Sequence, residues 1–359
     1  MSGKKFNLIV LGIIGAALIT VGGGTYIIDP LFHYHAPLDN LAYPINDERY
    51  QNDGIIKHFD YNGIIIGSSM TSNFKTSESD VLFGVNTIKA PYPGATFKEI
   101  NDNLKIAFEN NNSIKVVIRC IDDNVLVCYK DIMANDIREE GNRIDYPTYL
   151  TDDNIFNDVK YLLNKDMLIK RTLPVLERTA AGGKTESFDK AYNWNGRMKY
   201  GRDVVLTYEA KKKEDTEKIY TESAENMVLE NVRQNVTELA AMYPECTFYP
   251  FFPPYSICYW DKLYMEGSID YMIDAEKTAI EDILKHPNIR LYSFNTKYDI
   301  IANLDNYRDT LHYGEWINSS ILQWMAEGEG MLTYDNYQDY INEIRNYYNS
   351  YDYGKLHEE

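Results

Sequence analysis

The sequence predicts an α/β protein: a three-layer α/β/α sandwich built on a parallel sheet and preceded by one transmembrane helix. Three observations predict it. The runs Ile64–Ile66, Val116–Ile118 and Thr247–Phe252 are nearly continuous in β-branched and aromatic residues, as strands covered on both faces must be. Stretches of helical spacing lie between them, and β-turn-α-β alternation argues for a doubly wound sheet. Ahead of all this, Leu8–Ile28 is uncharged and rich in Ile, Leu, Val, Ala and Gly, about the ~20 residues a bilayer-crossing helix needs.

The N-terminal segment sets the address. Lys4 and Lys5 precede the apolar run, and positive charge on a short flank keeps that side in the cytoplasm. No small-x-small cleavage site follows the run, where Tyr26, Ile27, Ile28 and Asp29 stand, so an uncleaved signal anchor is expected over a removed signal peptide. The expected organisation is a cytoplasmic N-terminus (1–7), a signal anchor (8–28), a stalk (29–43) and an extracytoplasmic domain (44–359). This places the protein in the cell membrane as a single-pass chain with its domain outside the cytoplasm.

Composition narrows the partners. Of 359 residues, 44% are hydrophobic and 25% charged, ordinary for a folded chain. A net charge of −18 repels phosphate backbones and argues against nucleic acid. It also argues against broad adhesion to anionic lipid or polymer, leaving room for a local basic patch. The 31 tyrosines are read as packing residues, with sugar stacking an open use for some. Cys120, Cys128, Cys246 and Cys258 match no zinc spacing. Pairing is open to an exported chain, but the apolar runs around Cys120 and Cys246 favour buried free thiols. His33 and His35 flank Tyr34 in the stalk and are expected at the membrane interface, not as metal ligands.

Taken in order, Asn46–Phe59 has the spacing of a short amphipathic helix, with Tyr50, Ile55, Ile56 and Phe59 inward. It leads to the first strand, Gly63–Ile66. A second strand is expected at Phe83–Ala90. Pro91–Thr96 then breaks the chain, and Thr96 is placed to cap a helix from Phe97 to about Asn110. Ile114–Ile121 is the third strand. Residues 130–214 break the rhythm and read as an insertion or lid, with a helix around Asn154–Leu163, a Gly182-Gly183 loop and the basic run Lys211-Lys212-Lys213. A long helix is expected over 214–242, a strand over Cys246–Phe252, a helix over 269–284, a strand over 289–294, and closing helices over 313–325 and 336–347.

Two motifs carry chemistry. Gly67-Ser68-Ser69 ends the first strand, and in open α/β sheets chemistry sits at the carboxyl ends of strands. Near the C-terminus, Asp309 and His312 stand three apart after the last strand, a spacing that puts both side chains on one side of a turn. A serine hydroxyl needs a base to become a nucleophile, histidine suits that task, and a carboxylate orients the imidazole. Ser69, Asp309 and His312 supply the three roles in the order Ser…Asp…His.

Gly67-Ser68-Ser69-Met70 resembles the first block of the SGNH (GDSL-type) hydrolases, with Ser68 where many members have Asp, and Asp309-Thr310-Leu311-His312 resembles their D-x-x-H block. The resemblance implies a flavodoxin-like sheet. It also implies Gly94 and Ser69 as backbone donors to an oxyanion hole. The third block departs from the pattern: Asp122, in Cys120-Ile121-Asp122-Asp123-Asn124, falls where the family has an Asn, and an ionised carboxylate cannot donate. Three alternatives stay open: a protonated Asp122, a donor role for Asn124, or a hole of backbone donors alone.

A membrane anchor with an outward SGNH domain is most similar to the bacterial proteins of teichoic-acid D-alanylation and of alginate acetylation. That resemblance implies a serine esterase or O-acyltransferase acting on an acyl ester of a surface glycan or teichoic acid, without cofactor or metal, beside a membrane-bound acyltransferase partner. The alternative is a catalytically weak or inactive SGNH-fold protein that binds a cell-wall polymer or scaffolds such an acyltransferase.

Overall fold

The structure, a computed structural model, describes residues 2–152, 154–208 and 213–358. The chain divides into two compact units. One comprises the residues up to Asp60 together with Asp145–Ser187, and the other Tyr61–Ile144 with Phe188–Glu359. In chain order the main elements are α1 (Gly3–Ile28), α2 (Glu48–His58), β1 (Gly63–Gly67), α3 (Thr76–Phe83), β2 (Thr87–Pro91), α4 (Phe97–Asn110) and β3 (Val116–Cys120). They continue with α5 (Val159–Leu162) and α6, the run of Lys165–Met167, a π-helical turn Leu168–Thr172 and Leu173–Ala180. Next is α7, the run of Glu222–Val232, a second π-helical turn Arg233–Thr237 and Glu238–Met242. The chain closes with β4 (Thr247–Phe252), α8 (Ile257–Met265), α9 (Ile269–Ile283), β5 (Tyr292–Ser293), α10 (Glu315–Glu327) and α11 (Tyr337–Ser350).

The larger unit is the expected α/β sandwich. Its five strands are all parallel in the order β2-β1-β3-β4-β5. β1 is an inner strand, with Ile64 facing Ile88 of β2 on one side and Val117 of β3 on the other. Every residue of β1, β2 and β3 is buried, including Lys89 of β2 and Arg119 of β3, and cover on both faces is why Ile64–Ile66 and Val116–Ile118 read as apolar runs. α3 and α10 pack together in one helical layer, while α4, α7, α9 and α11 form the other.

Several boundaries differ from the sequence expectation. Phe83 ends a helix instead of opening a strand: α3 stops at Gly84, whose φ of 67° provides the left-handed cap, and β2 begins four residues later than expected. The expected strand 289–294 follows β4 through Arg290 N–H to Phe248 O and Phe294 N–H to Phe252 O, yet ladder pairing survives only at Tyr292 and Ser293. The helix expected from 214 starts at Glu222, capped by Thr221. The one expected over 154–163 narrows to α5. α8 was not expected; it follows Pro253-Pro254 and is buried nearly all round, which erases an amphipathic signal. Lys211 and Lys212 lie outside the described residues, while Lys213 pairs with Glu217. All four cysteines are free, and only Cys128 is not fully buried.

In the smaller unit, α1 is long and apolar enough to cross a membrane, with mean hydropathy 2.1. Ser2 caps its start, and Asp29 ends it in the left-handed region at φ 45°. The buried Asp29 carboxylate accepts from the N–H groups of His33, Tyr34 and His35 and from the Tyr161 hydroxyl. Residues 29–43 carry no helix or strand, but Leu31, Phe32 and Tyr43 within them are buried. His33 lies 3.6 Å from Asp158.

Candidate active site

β1 delivers Ser69. Its last residue, Gly67, has no room for a side chain: a Cβ there would lie 2.7 Å from Thr71 Cγ2 and 3.0 Å from Cys120 Cβ. Ser68 then caps a 3-10 turn, Ser69–Thr71, by accepting from Met70 N–H. The turn is anchored from two sides. The fully buried Lys89 of β2 donates to Ser72 O at 2.6 Å and Phe74 O at 2.8 Å, and Asn318 of α10 donates to Met70 O at 3.0 Å. Ser69 itself stays partly exposed.

His312 and Asp309 come from the loop before α10. The loop closes on itself, with Arg308 N–H donating to His312 O and Gly314 N–H to Asn306 O. Buried Tyr307 ties it to Pro254 O at 2.7 Å, and Ser256 holds Thr310 O at 2.8 Å. This brings His312 Nε2 within 2.7 Å of Ser69 Oγ across 243 residues of sequence. Asp309 Oδ1 and Oδ2 lie 3.0 and 2.9 Å from His312 Nδ1. An ionised carboxylate can only accept, so the ring proton belongs on Nδ1 and Nε2 is left to accept from the serine hydroxyl.

Burial alone would raise the Asp309 carboxyl. Hydrogen bonding and charge from the His312 ring, with the N–H groups of His312 and Leu311 at 2.8 and 2.9 Å, outweigh it and hold the group well below the usual carboxylate range. Trp194 meets the His312 ring edge-on at 5.7 Å, and the Arg308 guanidinium, 3.2 Å from Asp309, covers Trp194 at 4.6 Å. Sequence reasoning missed both Trp194 and Arg308, and no local pattern marks Trp194.

The catalytic-type dyad opens into a cleft of about 280 Å³, whose lining includes Ser69, Gly94, Asp122, Asn124, Arg138 and His312. Of the residues singled out from the sequence, Ser69, Gly94, Asp122, Asn124 and His312 border this space, and Asp309 stands behind the His312 ring outside its lining. The N–H groups of Ser69 and Gly94 have no acceptor among the described residues. Gly94 has φ 70°, and a Cβ there would lie 2.0 Å from Arg138 Nη2. Arg138, also missed, donates to Gly94 O at 3.3 Å and meets no carboxylate among the described residues.

Asp122 is buried and accepts from the Tyr255 hydroxyl at 2.5 Å through Oδ1, while Oδ2 has no partner. Burial pushes its carboxyl above the ordinary range despite the opposing pull of the Tyr255 hydroxyl. Asn124 is exposed and its side chain makes no hydrogen bond to the described residues. No three His, Cys, Asp or Glu side chains among the described residues are grouped so as to hold a metal ion.

No family model matches the chain, and no curated protein matches it. A solved structure, described as that of "a putative platelet activating factor from Streptococcus pneumonia", aligns with 78% of this chain and 92% of its own length at 11% identity and a TM-score of 0.40. A likeness that loose does not bear on the chemistry.

Proposed function

We propose that the protein is a membrane-anchored serine esterase or O-acyltransferase of the SGNH type, acting outside the cytoplasm on an acyl ester of a surface glycan or teichoic acid. The observation that carries this reading is the chain of contacts from Ser69 Oγ to His312 Nε2 at 2.7 Å and on to Asp309. In the first step Ser69 Oγ bonds to the ester carbonyl carbon while His312 Nε2 takes the hydroxyl proton. The carbonyl oxygen becomes an oxyanion and accepts from the Ser69 and Gly94 N–H groups. The tetrahedral adduct collapses, and the alcohol oxygen leaves with the proton from His312. Water or an acceptor hydroxyl then gives its proton to His312 and attacks the acyl-serine; the second adduct collapses, the acyl product leaves, and His312 passes that proton to Ser69 Oγ. Asp309, held ionised, keeps the ring oriented and offsets its positive charge.

Arg138 supports an anionic substrate. It is a cation without a carboxylate partner among the described residues, bordering the nucleophile in a chain of net charge −18, and guanidinium suits phosphate and carboxylate. The raised Asp122 carboxyl supports the protonated alternative for the third donor. The same residue carries the second reading: if Asp122 ionises, it opposes an oxyanion, which favours a polymer-binding or scaffolding protein.

The test is labelling of the full chain in detergent with a serine-directed fluorophosphonate, alongside acetyl-ester hydrolysis. Labelling and turnover in wild type, both lost in Ser69→Ala, are expected. A well-folded wild type that neither labels nor turns over would sink the enzymatic reading in favour of the scaffold.

A further inference from the structure

We propose that the apolar face of residues 155–176 lies in the lipid leaflet beside the C-terminal end of α1, so that the chain meets the membrane through a half-immersed helical segment as well as its spanning helix. The inference rests on α1 crossing the bilayer, as proposed above. It concerns the smaller unit alone.

Large apolar side chains are exposed along this stretch. Phe156 is 86% exposed, and Val159, Leu163, Ile169, Leu173 and Leu176 are exposed with it. The last three are spaced by four and three residues along α6, which places them on one face of the helix. Met167, Thr172 and Val175 of α6 are buried, as is Tyr161 of α5. A soluble protein seldom leaves so many neighbouring apolar side chains in water.

The depth of contact on α1 says what covers them. Leu163 Cδ2 lies 3.1 Å from where a Gly22 Cβ would stand, so the bare Cα of Gly22 lets the end of α5 press against α1. Gly22 is six residues before Ile28, about 9 Å along the axis at ~1.5 Å per residue. A hydrocarbon core of ~30 Å takes up about 20 residues, which from Leu8 reaches about Ile27. The α5 contact therefore falls several Å inside the hydrocarbon boundary, matching the roughly 5–10 Å immersion of interfacial helices.

Charge points the same way. Residues 154–180 hold Lys160, Lys165, Lys170, Arg171 and Arg178 against Asp158, Asp166 and Glu177, a net positive segment in a chain of −18. Lys160 and Lys165 are exposed; Lys160 has Asp152 as a neighbouring carboxylate, and Lys165 has none among the described residues. Their stems can lie along apolar surface while their ammonium groups reach anionic headgroups. This is the local basic patch that the overall charge left room for.

The test uses the full chain reconstituted in phosphatidylethanolamine–phosphatidylglycerol vesicles, with Cys128→Ser removing the one native thiol that is not fully buried. An environment-sensitive fluorophore is placed singly through Phe156→Cys, Leu173→Cys, Val159→Cys or Ile169→Cys. Leu18→Cys, within α1, and Val81→Cys, 83% exposed in the larger unit, serve as references. The expected result is loss of fluorescence at the four test positions with lipids carrying a nitroxide near the headgroup end of the acyl chain, and protection from aqueous iodide. Labels that behave as at Val81 overturn the proposal. So do labels shielded from both quenchers, because protein, a second copy of this chain, would then cover the face. A Leu18 label, near the bilayer midplane, that also escapes lipids carrying the nitroxide at the far end of the acyl chain defeats the anchoring reading itself, a distinguishable failure.

Discussion

Asp122 and Asn124 are the residues on which the chemistry of the cleft turns. Burial favours the protonated form of Asp122, and a protonated carboxyl is a donor where an ionised one is not. In the proposed mechanism, Asp122→Asn keeps a donor in place and retains kcat to within about tenfold, while removing the loss of rate that ionisation of Asp122 causes as pH rises. A pH–rate profile of both proteins checks this; a dead Asp122→Asn with an intact fold would assign the carboxylate another role. Asp309→Asn removes the charge that holds Nδ1–H and adds an amide donor that favours the wrong tautomer, and is expected to lower kcat by about 10³–10⁴, with fluorophosphonate labelling slowed in step. Arg138→Gln should lower kcat/KM for carboxylate- or phosphate-bearing esters more than for neutral ones, by about 10–100-fold in the ratio, as loss of a charged hydrogen bond of ~1.5–3 kcal/mol implies. Equal losses on both substrates would place Arg138 outside substrate selection.

At the scale of elements, local chemistry decided more than propensity. α4 begins where Thr96 was expected to cap it, and a full capping box closes it: Glu99 accepts from Thr96 N–H at 2.9 Å, and Thr96 Oγ1 also donates to Ile132 O at 2.8 Å. Thr96→Ala is expected to lower the free energy of unfolding by about 1–2 kcal/mol, measured by urea denaturation at constant m. β1 was legible because three isoleucines run into Gly67-Ser68-Ser69, and that turn could form only with glycine at 67. α3 and β2 were not separated by sequence because Gly84 marks a helix end only when its φ is known to be positive. α8 escaped because a helix buried on nearly all sides shows no 3.6-residue alternation.

At the scale of the whole molecule, the larger unit buries two carboxyl groups in proximity. Asp123 has no hydrogen-bond partner on either oxygen, and Glu276 accepts from the Tyr340 hydroxyl and Asn295. Burial raises both, and the neighbouring charge of Glu276 adds to the rise at Asp123; Glu276 moves from 4.5 to about 7. Between those values the native state binds more protons than the unfolded chain, so stability falls as pH rises from about 4.5 to about 7. Thermal unfolding followed across that range should show Tm declining in wild type and a flatter profile in Glu276→Gln. An unchanged slope in the variant would assign the dependence elsewhere. Asp309 acts in the opposite sense and in a separate window, its stabilising contribution being lost only as pH falls below the ordinary carboxylate range.

The sequence by itself determined what depends on neighbours along the chain. The apolar length of α1, the buried character of β1, β3 and β4, the Thr96 cap and the turn after β1 follow from residue period and turn chemistry within about a dozen positions. It also marked Ser69, Asp309 and His312 as chemically suited to one another. What it could not supply was distance. The approach of Ser69 and His312 across 243 residues depends on strand order and on Tyr307, Ser256 and Lys89 holding two loops at the carboxyl edge of one sheet. Trp194 reaches the His312 ring, and Arg138 the cleft, from segments with no motif. Their positions follow from packing and from hydrogen bonds that close only when the whole unit is folded, and such non-local contacts leave no period in the sequence that forms them.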